Sequence, residues 1–322
     1  MELHRAERSR VWRAGRARQT AGGLLAACVV LVLAAPAPAL FEDLPPNPRT
    51  RALGGAATSF LDDAWAYYYN PAMLPRLPYF HAGVATVRPN GLDFNRMTSI
   101  AVASPLRGRV GGLAFGWRHY SVENGNVDLL RENTLSVAHG FMLFSDASTS
   151  ASFGWTLNLF HADFAPSVGA AGDGSDGVDP GGAWAVGLDL GGVVSVYDRT
   201  YVGFFTRNLN NPTIGDDAEE LRRQVGVGIS YLPYPGVTTA LDVRGGLGEE
   251  FRFHGGLEFE LVPELQLRFG METEPSRLTG GFAVHLPKVS IDYGFGSGGG
   301  VLDTSHQFGV HTRLDLLGEA SR

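Results

Sequence analysis

Cysteine, lysine and long apolar runs are almost missing from this chain of 322 residues. It has one cysteine, Cys28, and one lysine, Lys288, and its net charge is −7. One cysteine excludes a disulfide scaffold, and an acidic balance argues against nucleic acid as a partner. Charged residues make up only 18%, but 44% are hydrophobic, which excludes a disordered polypeptide. After residue 40, no apolar run approaches the length of a transmembrane helix.

The first 39 residues have the pattern of a secretory signal peptide. Six arginines precede a run of fourteen apolar residues at 21–34, and Ala37-Pro38-Ala39 follows as a small-residue cleavage site. A membrane anchor is the alternative, although fourteen residues are short for a span of about 20. Leu25–Cys28 also resembles a lipobox. Removal of residues 1–39 takes away a net charge of +4 and the cysteine, which leaves a chain with a charge of −11.

The remaining chain alternates between apolar and polar residues with a period of two. In the last such segment Phe308, Val310 and Leu314 fall on one face, while Gln307 and His311 fall on the other. Period two indicates β-strands. The polar faces are rich in glycine, of which the chain has 43. We count fourteen strands, at 79–88, 94–103, 109–119, 131–143, 149–162, 183–196, 200–208, 221–232, 236–245, 249–261, 264–273, 277–286, 288–296 and 304–316.

Broad apolar faces with aromatic ends, opposed by small and charged residues, are typical of a transmembrane β-barrel. The pattern therefore predicts an all-β fold, an antiparallel up-and-down barrel over 78–317, followed by a tail at 318–322. An even strand count agrees with a closed bacterial barrel. The three longest connections, at 120–130, 163–182 and 209–220, all follow odd-numbered strands, as expected when long loops lie outside and short turns face the periplasm. The strand at 200–208 is the weakest, because Phe204 and Phe205 interrupt the alternation.

The segment 40–77 differs from the rest and carries the one specific motif. Residues 52–67 are compatible with a helix that Asn70-Pro71 ends, because proline disfavours helix at the residue before it. The string RALGGAATSFLDDAWAYYYNPAML resembles the N-terminal motif of the FadL superfamily of outer-membrane proteins, and within it the PorV/PorQ-like branch. The matching residues are Arg51, Ala52, Gly54, Gly55, Ala56, Asp62, Asp63, Tyr69, Asn70, Pro71 and Ala72.

This resemblance implies a fourteen-stranded barrel whose N-terminal segment folds into the lumen as a plug. The alternative is an amphipathic helix that lies outside the barrel. In a plug, Asp62 and Asp63 are expected to meet arginines of the lumen, for which the candidates are Arg118, Arg244, Arg252 and Arg268. The family pattern ends on an aromatic residue, whereas this chain continues past Leu316 as LGEASR.

Residues with catalytic or metal-binding patterns are scarce. No serine lies in a nucleophile elbow of the G-x-S-x-G type, so an enzyme and a cofactor are not expected. His81, His139 and His161 are assigned to outward faces. Asp173, Asp176 and Asp179 are candidates for calcium, which takes oxygen ligands, but their spacing matches no EF-hand, and a solvated acidic loop is the alternative.

The resemblance implies a passive outer-membrane conduit for hydrophobic small molecules. Its second implication is a secretion accessory of the PorV type, a scaffold that binds exported proteins at the outer surface. A structural barrel without cargo is a third alternative. The expected partners are membrane lipid, hydrophobic small molecules or exported proteins, and the outer-membrane assembly machinery. A continuous apolar track in the lumen favours transport, whereas a filled lumen favours a scaffold.

Overall fold

The computed structural model describes residues 40–106, 110–125, 127–166, 176–215, 219–246, 250–298 and 303–315. The compact unit begins at Leu40. The predicted signal peptide at 1–39 and the tail at 318–322 lie outside the described residues. The helices of the described chain are all too short to cross a bilayer.

The described residues form sixteen strands, and fourteen of them build one closed antiparallel barrel. The first six are β1 (Phe80–Arg88), β2 (Asn95–Pro105), β3 (Gly112–Asn124), β4 (Val127–Ser145), β5 (Thr149–Phe164) and β6 (Gly182–Val196). The middle of the chain gives β7 (Thr200–Arg207), β8 (Thr213–Ile214), β9 (Glu219–Glu220), β10 (Gln224–Tyr231) and β11 (Val237–Gly246). The last five are β12 (Arg252–Val262), β13 (Leu265–Glu272), β14 (Arg277–His285), β15 (Ser290–Gly296) and β16 (Ser305–Leu314).

The barrel closes where the first strand meets the last. β1 pairs with β16 from Phe80 opposite Leu314 to Arg88 opposite His306, without a shift of register. Each of the other barrel strands pairs with its neighbours along the chain, except that β7 pairs directly with β10. The two-residue strands β8 and β9 form a separate ribbon between them. Closure leaves no sheet edge, which hydrocarbon would not tolerate.

The outer surface of the barrel is apolar, as the alternation predicted. Val227, Phe253 and Phe308 are each more than half exposed, whereas their neighbours along each strand turn inward. The predicted transmembrane barrel of fourteen strands is therefore confirmed. The strand predicted at 200–208 also follows the alternation of faces, because Phe204 faces outward at 52% exposure and Phe205 faces the lumen at 3%.

The two ends of the barrel differ. The turns at 146–148, 197–199 and 263–264 lie at one end, which we call the short-turn end, and the connections 165–181 and 208–223 lie at the other, the long-loop end. One predicted loop, 120–130, is wrong. β3 continues to Asn124 and β4 begins at Val127, because residues on both strands keep pairing, as Ser121 does with Arg131.

Residues 47–77 fill the lumen, and we call this segment the plug. It contains helix α1 (Pro48–Ala52), helix α2 (Ala66–Tyr69) and a 3₁₀ helix (Pro71–Arg76). The single helix predicted over 52–67 is wrong, because Gly54 and Gly55 have positive φ angles of 62° and 84° and turn the chain after α1. Every residue of α1 and α2 is buried, so the predicted plug, and not an external helix, is what the structure contains.

Glycines on the inner wall let the plug backbone approach closely. A Cβ on Gly154 would lie 2.5 Å from the carbonyl carbon of Pro71, and one on Gly203 would lie 2.5 Å from the carbonyl oxygen of Thr58. Such distances exclude any side chain unless the plug shifts. The same holds for further inward glycines, namely Gly112, Gly140, Gly270 and Gly294.

Candidate functional site

The interface between plug and barrel wall contains nearly all residues of the predicted motif. Asn47 is the N-cap of α1, and its side-chain oxygen accepts a hydrogen bond from the backbone N–H of Thr50 at 3.1 Å. Pro48 occupies the first helical position, where its missing N–H costs nothing. Arg51 donates from Nε to Oε1 of Gln307 on β16 at 2.6 Å. The start of the motif is thereby fixed to the closing strand of the barrel.

Asn70 joins the two halves of the plug to the wall. Its side-chain oxygen caps the 3₁₀ helix by accepting from the N–H of Ala72 at 3.1 Å. Its Nδ2 donates to the carbonyl oxygens of Thr58, Gly192 and Phe204, at 2.8, 3.2 and 3.2 Å. The residue is completely buried. Asn70 therefore fixes the α2 region both to an earlier part of the plug and to strands β6 and β7.

The acidic pair of the motif does not reach the predicted barrel arginines directly. Asp62 and Asp63 both pair with Arg49 of α1, at 2.5 and 3.1 Å. Arg49 also makes a bidentate pair with Glu258 on β12, at 2.8 Å from Nε and 2.7 Å from Nη2. Of the predicted arginines, Arg268 joins this group only through Glu258, at 2.8 Å.

The chain of charges continues into the wall. Arg268 pairs with Asp292 on β15 at 2.5 Å, and Asp292 contacts Nδ1 of His311 on β16 at 2.6 Å. The ring of His311 stacks on His81 with centroids 4.8 Å apart. His81 accepts a hydrogen bond from the N–H of Ala64 at 3.2 Å and is 3% exposed, so its predicted outward orientation is wrong. In the alternation along β1, this side chain lies on the face that is directed toward the plug.

Burial sets the ionisation of the plug groups. It raises the pKa of Asp63, and the adjacent Asp62 adds to this effect, whereas Arg49 offsets only part of it. Burial also raises the pKa values of Tyr67 and Tyr69 to about 12. Tyr67 and Tyr69 are therefore neutral in this site, and the Tyr67 hydroxyl has no hydrogen-bond partner among the described residues.

A second anchor holds the turn after α1. Oδ2 of Asp242 on β11 accepts from the N–H groups of Ala57 and Thr58 at 2.9 and 3.0 Å, and from the Thr58 hydroxyl at 2.6 Å. Arg244 pairs with the same carboxylate at 2.8 Å and donates to the carbonyl oxygen of Gly55. The predicted contact of Arg244 with the plug exists, but its partner is backbone.

Three arginines of the wall surround the tyrosine run. Arg118 lies over the ring of Tyr68 at 4.5 Å, and Arg207 lies over the same ring at 4.0 Å. Arg244 lies 5.1 Å from the ring centroid of Tyr69. Arg207 also donates to the carbonyl oxygen of Tyr68 at 2.8 Å. Cation–π contacts of this kind stabilise most when they are desolvated, as they are here.

The remaining predicted residues lie apart from this interface. Arg252 borders a small cavity beside Asp43 and Tyr69, and it makes no hydrogen bond or ion pair to the plug among the described residues. Asp173 lies outside the described residues. Oδ1 of Asp179 accepts from the N–H of Gly181 at 2.9 Å. Within the described ranges, no three acidic, histidine or cysteine side chains are grouped for a metal ion.

The inner wall has two chemically different sides. On β1 to β4 it includes small apolar side chains in the cluster around Tyr67, Met73 and Leu74, namely Ala85, Ala101, Ala103, Ala114 and Ala138. We call these residues the alanine wall. On β11 to β16 it includes the buried charged or titratable residues Asp242, Arg244, Glu258, Arg268, Asp292 and His311. Buried ion pairs therefore hold the plug mainly on the β11–β16 side, whereas the alanine wall itself offers only packing.

Cavities adjoin the plug at several places among the described residues. One of about 730 Å³ opens at the short-turn end between Phe60, Arg76, Tyr201 and Arg313. Another of about 50 Å³ lies beside Tyr69 and Arg244, and a further one of about 10 Å³ lies beside Pro48 and Gly309.

The fold is shared with solved bacterial transporters. The Ralstonia pickettii toluene transporter TbuX matches with a TM-score of 0.57 over 83% of this chain and 98% of its own, at 15% identity. The Pseudomonas putida toluene transporter TodX matches with a TM-score of 0.56 over 86% and 100%, at 14% identity. A Pseudomonas aeruginosa FadL homologue matches with a TM-score of 0.54 over 84% and 99%, at 12% identity.

These identities establish a common fold. The structural neighbours belong to the FadL/TodX family of transporters, so the predicted resemblance to that superfamily is confirmed for the fold, while the PorV/PorQ-like branch stays a prediction. The sequence matches no protein-family model. It also matches no curated protein sequence.

Proposed function

We propose that this chain is an outer-membrane barrel that lets small hydrophobic molecules cross passively. The observation that carries the proposal is the fold: a fourteen-stranded barrel with an apolar coat and an N-terminal plug, matched along nearly the whole length of proteins described as toluene transporters. The same match supports transport of a hydrocarbon, and the predicted signal peptide supports export.

Passage of a ligand through the barrel requires the plug to move. The attachments of the plug favour movement away from the alanine wall. The charged side of the wall holds the plug through buried ion pairs, whereas the alanine wall offers only dispersion and hydrophobic contact. Hydrophobic contacts are non-directional and accommodate an apolar ligand in place of an apolar side chain. We infer that the plug separates from the alanine wall and pivots at Gly54–Gly55 and Asn70–Pro71. A hydrocarbon then slides along β1 to β4.

Uptake by whole cells tests this proposal, because toluene crosses a phospholipid bilayer unaided and liposomes would hide the effect. A strain that lacks the protein is compared with the complemented strain for uptake of labelled toluene. Complementation should restore uptake. Equal uptake in both strains, with the barrel present at the surface, would contradict the proposal.

A matched pair of variants tests the route. Ala114 belongs to the alanine wall and Ala283 faces inward on β14, and both are buried. Ala114→Asn should lower toluene uptake, because a polar group then lies on the apolar path, whereas Ala283→Asn should retain it at equal surface levels. Loss of uptake in the Ala283 variant alone would place the route on the opposite wall.

A scaffold for exported proteins is the second candidate. The plug supports it, because the helices of the plug are buried inside the barrel and occupy space that a permanently open channel would need. Surface proteins that crosslink to the connection 209–220, and are lost when that connection is shortened, would favour the scaffold. Unchanged toluene uptake in the shortened variant would then separate the two functions.

A further inference from the structure

The outer face of the barrel carries three arginines at the long-loop end of β1, β2 and β4. Arg88, Arg96 and Arg131 lie on the outward phase of these strands and are exposed. Arg88 and Arg96 follow one position beyond the last paired residues of β1 and β2, and Ser121 of β3 lies opposite both Arg96 and Arg131. Because neighbouring strands are about 4.8 Å apart, the three side chains begin within about 15 Å of one another. We call them the arginine row, which Asp163 of β5 bounds beside Arg131.

The carboxylates beside the arginine row neutralise it only in part. Arg88 pairs with Asp93 at 2.7 Å, and both side chains are more than half exposed. Arg131 pairs with Asp128 of its own strand. Exposed pairs contribute about 0–1 kcal/mol, so another anion can replace them. Arg96 has no ion pair or hydrogen bond within the described ranges, although like charges on adjacent strands repel.

A second row of outward side chains, one step closer to the middle of the bilayer, offers hydrogen bonds. Thr86 lies opposite Thr98, Thr98 opposite His119, and His119 opposite Asn133. Oδ1 of Asn133 accepts from Nε1 of Trp117 at 3.3 Å and lies 3.0 Å from Nδ1 of His119. The two threonine hydroxyls and Nδ2 of Asn133 make no hydrogen bond in the part of the chain that the structure describes. We call Thr86, Thr98, His119 and Asn133 the polar row.

The next outward row is apolar, with Val84 opposite Ile100 and Leu135 opposite Leu159. From the middle of the bilayer outward, this side of the barrel therefore presents hydrocarbon, then hydroxyl, amide and imidazole groups, then guanidinium groups. The two polar rows lie where the apolar coat ends, which in a membrane barrel is the level of the lipid headgroups. A phosphorylated glycolipid has the same order of groups, namely acyl chains, sugar and phosphate.

The other side of the barrel does not repeat this order. At the same end of β12, β13 and β14, the outward residues include Phe253, Met271 and Leu278, which are all more than half exposed. Met271 lies directly opposite Leu278. The polar rows are therefore a local feature of β1 to β4, and not a general property of this end of the barrel.

We propose that the arginine row and the polar row together bind a phosphorylated glycolipid of the outer leaflet, whose sugar headgroup carries two phosphates. The guanidinium groups hold phosphate, because their paired N–H donors match its oxygens. One phosphate cannot span three gaps between strands, whereas two phosphates on a disaccharide can. The polar row binds the sugar, and the acyl chains lie on the apolar row. The inference rests on the proposed placement in the outer membrane, and it is independent of what crosses the lumen.

Native mass spectrometry of the full mature chain in non-ionic detergent micelles tests the site. The probes are diphosphoryl and monophosphoryl lipid A with identical acyl chains. The diphosphoryl lipid should bind about tenfold more tightly, because it makes an additional charge-assisted contact. Arg96→Gln combined with Arg131→Gln should abolish this preference. Arg199→Gln combined with Arg223→Gln removes the same charge outside the arginine row and should retain it.

Cardiolipin separates the glycolipid from anionic lipids in general, because it has two phosphates but no sugar. It should bind the wild-type protein about fivefold more weakly than diphosphoryl lipid A, which alone can use the polar row. Thr98→Val, which removes one outward hydroxyl, should weaken lipid A and leave cardiolipin unchanged. Equal affinities of the two lipids for the wild-type protein would overturn the site, and this comparison requires no variant to fold.

A preference for diphosphoryl lipid A that survives the double arginine variant would overturn the site as well. Toluene uptake by cells with that variant is a separate readout. Lost lipid binding with normal uptake leaves the hydrocarbon conduit intact, whereas absent uptake in the wild type with normal lipid binding counts against the conduit alone.

Discussion

Arg49 of the plug and Glu258 of the barrel wall form a bidentate ion pair, with Nε and Nη2 of the arginine 2.8 and 2.7 Å from the two carboxylate oxygens. Both side chains are less than a tenth exposed. The same guanidinium also holds Asp63 at 3.1 Å. One side chain therefore connects the start of the plug, its acidic pair and the wall.

Arg49→Met should release the plug from the charged wall. Removing one member of a buried charge cluster leaves the others unpaired, which costs about 3–5 kcal/mol. We expect faster proteolysis of the plug segment and a leak of small ions through planar bilayers that the wild-type barrel does not show. The control is Arg88→Met, which removes a largely exposed pair with Asp93, worth about 0–1 kcal/mol. A closed, protease-resistant Arg49 variant would contradict this role.

Replacing the amide of Asn70 by a carboxylate should destabilise the plug more than removing the amide. Its Nδ2 faces three carbonyl oxygens, so Asn70→Asp would direct a second oxygen at them and destabilise the plug more than Asn70→Ala. Each change is read from the protease resistance of residues 47–77 in the folded barrel. Asn211→Asp is the control, since that oxygen already accepts from Arg223 at 2.7 Å on an exposed loop. Equal resistance of the two Asn70 variants would refute the assigned hydrogen bonds.

Two strand glycines provide a matched test of the plug fit. Gly154→Ala places a methyl group against the backbone of Pro71, and overpacking of this kind costs about 1–3 kcal/mol. At Gly255 a methyl group would meet only the Met271 side chain at 3.4 Å, so Gly255→Ala should change stability by less than about 0.5 kcal/mol. Urea unfolding from vesicles measures both. Similar losses of stability in the two variants would mean that strand propensity, and not contact with the plug, accounts for the destabilisation by Gly154→Ala.

The apolar coat predicts a depth-dependent response to charge. Val227, in the middle of β10, is 57% exposed, and Val227→Arg should cost about 2–4 kcal/mol in folding into vesicles. Val178, in the connection between β5 and β6, is 69% exposed, and its arginine variant should fold like the wild type. If Val227→Arg folds with wild-type stability, the face of β10 does not contact lipid.

The barrel wall could be predicted from the sequence, because the alternation that marks each strand is a pattern between residues close together in the chain. The alternation around Val310 and the glycines of β14 and β15 depend on residues two positions apart, and the barrel strands follow from them. The contacts inside the lumen are different. Arg49 and Glu258 are separated by 209 positions, and nothing in either neighbourhood marks them as partners. The prediction that Asp62 and Asp63 meet arginines of the barrel wall is wrong, because Arg49 of the plug pairs with both.

The inward position of a charged residue could also have indicated its role. Asp242 and Asp292 fall on the lumen phase of β11 and β15, where an unpaired carboxylate would be costly, so each required a partner. The outward position predicted for His81 is wrong, because its side chain shares the inward phase of β1 with Ala85 and Val87. Side-chain phase therefore predicts which residues face the plug, whereas their individual partners depend on how the plug folds.

The pairing of β1 with β16 imposes an order on assembly. The plug precedes β1 in the chain and is joined to it by only Pro78 and Tyr79, yet it lies inside the ring that β1 and β16 complete. The residues before the plug extend toward the long-loop end, where the ring of Phe41 lies 4.9 Å from that of Phe160. The plug makes hydrogen bonds and ion pairs to the inner faces of β6, β7, β12 and β16. We therefore expect the N-terminal segment to pack against the sheet before the pairing of the first and last strands closes the ring.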